Sequence, residues 1–211
     1  MNPDIMSIQS GLAGLGFDPG PQDGLFGPRT RTAAEGWLAG GGKARAALKS
    51  VTDLASGPMI YQGGARHPVH EIVIHCAATR PDWMEPAGLA AQVAEIRRWH
   101  VRDRGWKDIG YHWLIGRDGK VLPGRPETVI GAGVTGHNTG VIHVCLIGGH
   151  GAAASDRFAD HFTEAQAARL LAHLAAIAMR TGIARISGHN EWAAKACPGF
   201  NVPAWLKERL G

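Results

Sequence analysis

The stretch SGHNEWAAKACPGF, residues 187–200, sets His189, Lys195 and Cys197 on one short irregular segment. An imidazole and a thiolate eight positions apart reach one cation if the loop between them folds back, and Pro198-Gly199 keeps a helix from carrying the sulfur away. The third ligand is read in EIVIHCAATR, residues 71–80, where an apolar run ends in a polar turn, the pattern of a buried strand delivering His75 at its tip. His75, His189 and Cys197 then form a three-ligand zinc site with the fourth position open. Structural zinc closes with four protein ligands, whereas catalytic zinc keeps one position free. A single histidine after an apolar run is more often a core or loop residue than a ligand. The wording of the surrounding segments decides between the two.

Those segments are GHNEWAAKACPGF (188–200), IVIHCAATR (72–80), EIRRWHVRDRGWKDIGYHWLIGRDGKV (95–121), and GHNTG (136–140) followed by VCLIGG (144–149). In that order and without large gaps they resemble the motifs of type-2 N-acetylmuramoyl-L-alanine amidases, a superfamily that includes phage lysozyme-amidases and peptidoglycan recognition proteins. The resemblance implies one Zn2+ per chain on His75, His189 and Cys197, and hydrolysis of the amide between N-acetylmuramic acid and the L-alanine of peptidoglycan. It implies catalytic roles for Lys195, which would meet the oxyanion, and Tyr111, which would orient the attacking water or pass its proton. His137 and Asn138 match a substrate-side motif, although Asn-Thr-Gly equally suits a plain turn. Two positions depart from the family pattern. Gly133, in IGAGVTG, stands where phage-type members often have His, and Val141-Ile142-His143 replaces a common Ser-Ile-Gly.

Outward from these motifs the chain reads as an α/β domain, a mixed central sheet flanked by helices, over residues 69–211. Expected strands cover 71–75, 111–115, 120–122, 141–147 and 183–187. The run 141–147, bounded by glycines, suits a strand buried on both faces. An amphipathic helix is expected over 86–104, with Leu89, Val93, Ile96 and His100 inward and Arg97, Arg98, Arg102, Arg104 and Lys107 largely on the solvated side. A capping box from Thr163 to Gln166 opens a long helix carrying Leu170, Leu174 and Ile177 and closed by Gly182. Cys76 and Cys145 read as small core residues.

Residues 1–55 form a separate expectation, a small three-helix domain with helices over 5–15, 28–37 and 43–54, and 56–68 reads as linker. Gln9, Leu12, Leu15-Gly16-Phe17, Asp23-Gly24, Phe26-Gly27 and Thr30 resemble a three-helix peptidoglycan-binding module. The Asp-Gly turn and Thr-led helix usual in the later part of that module are missing after Gly42. The competing reading is a helical cap packed on the catalytic domain.

Across 211 residues the chain is 45% hydrophobic and 19% charged, an ordinary globular composition. Three cysteines are too few for a disulfide framework. The opening MNPDIMSIQS has neither a basic n-region nor an apolar h-region, so synthesis in the cytoplasm without a signal peptide or membrane span is expected, followed by release or dedicated export to the wall. The net charge of +4 fits an anionic polymer as partner. The scattered basic residues argue against nucleic acid, and a monomer is expected. These readings converge on an endolysin-type lytic enzyme. The alternatives are a non-catalytic peptidoglycan receptor on the same fold, which has no need of a metal thiolate, and a cytosolic wall-recycling amidase, which has no need of a binding module.

Overall fold

A computed structural model describes residues 3–39, 60–64 and 66–210. The expected helix over 43–54 lies outside the described residues. In chain order the elements are α1 (Pro3–Gly14), α2 (Pro28–Ala39), β1 (Tyr61–Gln62), β2 (His67–Pro68), β3 (Glu71–Cys76), α3 (Gly88–Arg98), β4 (Trp113–Ile115), β5 (Val121–Pro123), β6 (Val141–Leu146), α4 (Phe158–His161), α5 (Glu164–Ala178), β7 (Arg185–Gly188) and α6 (Val202–Leu210). The five-stranded sheet runs β5-β4-β6-β3-β7. Only the β4–β5 pair is antiparallel, so the sheet is mixed.

Every residue of β3 and β6 is buried, because helices and loops cover both faces. The two-residue period of the strands sorts their side chains. Ile72, Ile74, Ile142, Val144 and Leu146 pack with Leu170, Leu174 and Ile177 of α5, with Phe158, and with Phe200 and Trp205 at the C-terminal end. The opposite face carries His75, His143 and Cys145. There Cys145, Leu114 and Ile147 meet Leu89, Val93 and Ile96 of α3, with Tyr111 against them.

Several boundaries differ from the expectations. The helix over 86–104 begins as a 3-10 turn, is α-helical only through Arg98, and ends in a π turn over Trp99–Asp103. Regular strand begins at Trp113, not Tyr111, because an irregular pairing precedes it: the carbonyls of Tyr111 and His112 accept from Arg125 and Gly124 N–H. Thr163 and Gln166 form the capping box, but α5 stops at Ala178 instead of continuing to Gly182. Thr181 N–H still donates to the Ile177 carbonyl, while its hydroxyl accepts from Ile60 N–H and donates to the Val69 carbonyl. The last strand starts at Arg185, and the stretch read as linker contains the antiparallel β1–β2 pair. Neither α4 nor α6 was expected. Both are short and hold the core through a few aromatic rings, Phe158 stacking on Trp205 with centroids 4.7 Å apart.

The N-terminal segment packs on α5. Leu12, Leu15, Ala33 and Trp37 form a buried cluster with Ala175, and Gly11 lies so near that an added Cβ would stand 3.1 Å from the Ala172 carbonyl oxygen. Buried Gln9 ties the connector down: its amide nitrogen lies 3.0 Å from Asp23 Oδ1 and 3.1 Å from Thr30 Oγ1, and its oxygen accepts from Gly24 N–H.

Three core histidines give the fold a pH dependence. Burial, the largest cause in each case, pushes His100, His112 and His173 down to about 4. Above pH 6.5 these rings are neutral in both folded and unfolded chain. Below it the unfolded chain takes up protons that the folded chain refuses, so stability falls as pH drops from 6.5 toward 4, by up to about 1.4 kcal/mol per pH unit for each ring. Urea unfolding of metal-stripped protein is therefore expected to shift to clearly lower midpoints between pH 7 and pH 5. An unchanged midpoint would mean that the rings are charged inside the fold.

Candidate metal centre

Parallel pairing builds the site. Ile74 of β3 registers with Gly188, the last residue of β7, so His75, still within β3, and His189, the first residue beyond β7, stand side by side at the carboxyl ends, where ligands of open α/β sheets gather. Their ring centroids are 4.8 Å apart, the spacing of neighbouring strands. After a 3-10 turn over His189–Glu191 the chain folds back and brings Cys197 Sγ to 3.8 Å from His75 Nδ1. Cys76 N–H donates to that sulfur at 3.3 Å. One ligand atom from each of His75, His189 and Cys197 lies within 4.8 Å of the others, and among the described residues no other trio of His, Cys, Asp or Glu is gathered for a metal.

The electrostatics suit coordination, which needs neutral imidazoles. Burial lowers the pKa of His75 well below the ordinary imidazole value, with the charges of His189 and His112 adding to the effect. His189 is lowered by burial first and by the Lys195 ammonium second. Lys195 is itself exposed on the loop between the two ligands. The Tyr111 ring lies 5.1 Å from that of His75. Burial first, then negative charge on Cys145, Cys197 and Cys76 wherever these thiols ionise, raises the Tyr111 phenol well above its usual value, so it remains a proton donor at neutral pH.

His137 and Asn138 stand apart from this trio. His137 stacks on Trp192 with centroids 3.6 Å apart, and its Nε2 lies 2.7 Å from Glu71 Oε2 at the start of β3. Asn138 Oδ1 accepts from Val134 N–H, closing the loop on itself. The buried Glu71 carboxylate also accepts from Ser187 and Trp192, clamping the loop that contains His137 to the segment that contains His189. Sequence reasoning missed this clamp, and Glu71 at a strand start gives no local signal of it. It also missed the inner histidines: His143 Nδ1 is 3.0 Å from His75 Nε2, and His112 stacks on His143.

Residues 65–200 match the N-acetylmuramoyl-L-alanine amidase family. The endolysin of Escherichia phage T7 is 39% identical over 143 residues, 68% of this chain and 89% of the phage protein. The endolysin of Klebsiella phage KP32 is 36% identical over the same shares. Among solved structures, the N-acetylmuramoyl-L-alanine amidase LysC from Clostridium intestinale URNW shares the fold with a TM-score of 0.54 at 22% identity, covering 74% of this chain and 93% of that one. With its two imidazoles and one thiol gathered at the strand ends, this chain belongs to the N-acetylmuramoyl-L-alanine amidase family, as a cell-wall amidase of the endolysin type.

Proposed function

We propose that the chain is a zinc-dependent amidase that cuts peptidoglycan between the lactyl group of N-acetylmuramic acid and the L-alanine of the stem peptide. The observation that carries the reading is the convergence of His75, His189 and Cys197 at the ends of adjacent parallel strands. Two ligands of a tetrahedral zinc at ordinary bond lengths stand about 3.5 Å apart, close to the 3.8 Å between Cys197 Sγ and His75 Nδ1. Two imidazoles and one thiolate are the donors zinc prefers, and three protein ligands are the catalytic number. When bound, zinc supplies Lewis-acid polarisation of the amide carbonyl and activation of the attacking water.

The remaining work falls to the chain. Tyr111, held protonated beside His75, orients the water through its hydroxyl. Lys195 reaches in from the exposed loop to meet the negative charge that develops on the carbonyl oxygen. His137 and Asn138 form the substrate-side loop, held in place by Trp192 and Glu71. The N-terminal helices add affinity for the wall, and the enzyme works as a monomer on peptidoglycan reached by release or export. No helix among the described residues is long and apolar enough to cross a membrane.

The test is mass spectrometry of digested sacculi. Stem peptides freed with an N-terminal alanine are expected; shortened glycans or cut cross-links would assign the chain to another hydrolytic class, and no product at all would favour a receptor. The wall-binding role has its own measurement. A truncated protein beginning near residue 56 is expected to pellet with sacculi several-fold less, because a tethered binding unit raises local concentration without touching the chemistry. Unchanged pelleting would leave the N-terminal helices as a cap on α5.

A further inference from the structure

We infer that His143 is a positioning residue for His75, accepting the proton on His75 Nε2 so that Nδ1 faces the metal position; this rests on the zinc reading above. The two histidines come from neighbouring parallel strands on the same sheet face, since Val73 registers with His143 and His75 with Cys145. They are therefore diagonal neighbours, within reach of long side chains. His75 Nε2 lies 3.0 Å from His143 Nδ1, while the other nitrogen, Nδ1, is the one near Cys197 Sγ. A metal on Nδ1 requires the proton on Nε2, so His143 must present Nδ1 as an acceptor and carry its own proton on Nε2. An imidazole ligand whose second nitrogen is so engaged has its tautomer and ring angle fixed.

The surroundings are shaped for this ring. Gly131 and Gly133 both have ordinary negative-region or extended backbone, being absent from the residues with positive φ, so space and not conformation excludes a side chain there. A Cβ at Gly133 would sit 2.6 Å from His143 Nδ1 and 2.9 Å from His75 Nε2, and one at Gly131 would collide with His143 Cδ2. On its other side His143 stacks on His112, whose Nδ1 accepts His143 N–H and whose Nε2 lies 3.0 Å from the Val129 carbonyl. His143 Nε2 is buried and, among the described residues, has no hydrogen-bond partner. A ring kept there at the cost of an unpaired nitrogen is explained by what its other nitrogen holds. The two departures from the family pattern thus form one arrangement: the glycine at 133 leaves the room that the histidine at 143 fills.

The experiment titrates zinc alone against a chromogenic chelator for wild type, His143→Phe, His143→Gln and His75→Ala, beside long-range proton–nitrogen correlation spectra of the zinc-loaded wild-type rings. Phenylalanine keeps the volume but cannot accept, and is expected to weaken zinc about tenfold to a hundredfold; glutamine, whose amide oxygen can accept, should restore most of it. The spectra should show both His75 and His143 protonated on Nε2. A folded His143→Phe protein with wild-type zinc affinity overturns the inference. So does a wild-type spectrum with the His143 proton on Nδ1, which decides the matter even if the variant fails to fold. A wild-type chain that binds no zinc, or binds it equally well as His75→Ala, overturns the zinc reading itself and this inference with it.

Discussion

Cys197→Ser is expected to lose its metal and nearly all hydrolysis of sacculi while keeping its fold. Cys197 is the only ligand of the trio that can be anionic, and a serine hydroxyl stays protonated where a thiol on a metal does not. Loss of an outer partner of a ligand costs about tenfold to a hundredfold in affinity, and loss of the ligand itself should exceed that. The fold is expected to survive because the sulfur is held from the strand tip by Cys76 N–H, a bond the smaller oxygen can still accept. Metal content by atomic emission, turbidity clearance of sacculi and circular dichroism on one preparation check the three parts. A serine variant with about one zinc per chain and normal clearance would remove Cys197 from the ligand set.

Lys195→Ala is expected to keep its zinc and lose roughly a hundredfold in kcat, the scale of losing one oxyanion donor. The exposed ammonium needs no compensation in the fold, so stability should hardly change. The linked effect is on pH. Burial is the main reason His189 resists protonation, and Lys195 is the second. Without the ammonium the His189 pKa rises, protons displace the metal at higher pH, and the acid limb of the activity profile moves upward. Arginine should rescue poorly, because its planar fork differs in reach from a compact ammonium. Zinc content beside single-turnover rates across pH separates these effects; a zinc-loaded alanine variant with normal turnover would leave the oxyanion to Tyr111.

What could be read from the sequence was local. A strand tip ending in His75, a Pro-Gly after Cys197 and the Thr163–Gln166 cap each announce themselves within a few residues, and the strands and helices they predict are those of the sheet. What could not be read depends on partners far along the chain. Tyr111 leaves the regular strand because Gly124 lets a second backbone close on its carbonyl. Just past the end of α5, the Thr181 hydroxyl ties the helix to Ile60 and Val69, more than a hundred residues earlier in the chain. His143 looks like one more residue in an apolar strand until His75, 68 residues away, is set beside it. The resemblance supplied Tyr111 and Lys195 where composition and period alone would have left a core aromatic and a surface lysine.

The interior position of β3, between β6 and β7, also shapes how the molecule is made. Both strands that flank it, β6 and β7, lie later in the chain, so EIVIHC leaves the ribosome with two open edges and no cover. At about 5–20 residues per second, several seconds pass before residue 188 emerges to close the second edge. Parallel pairings of such long range form slowly and leave apolar strands exposed to neighbouring chains meanwhile. His75 and Cys197 are separated by 122 residues. The three candidate ligands therefore meet only as assembly closes, so a metal held by them would bind at the end of folding and would not nucleate it.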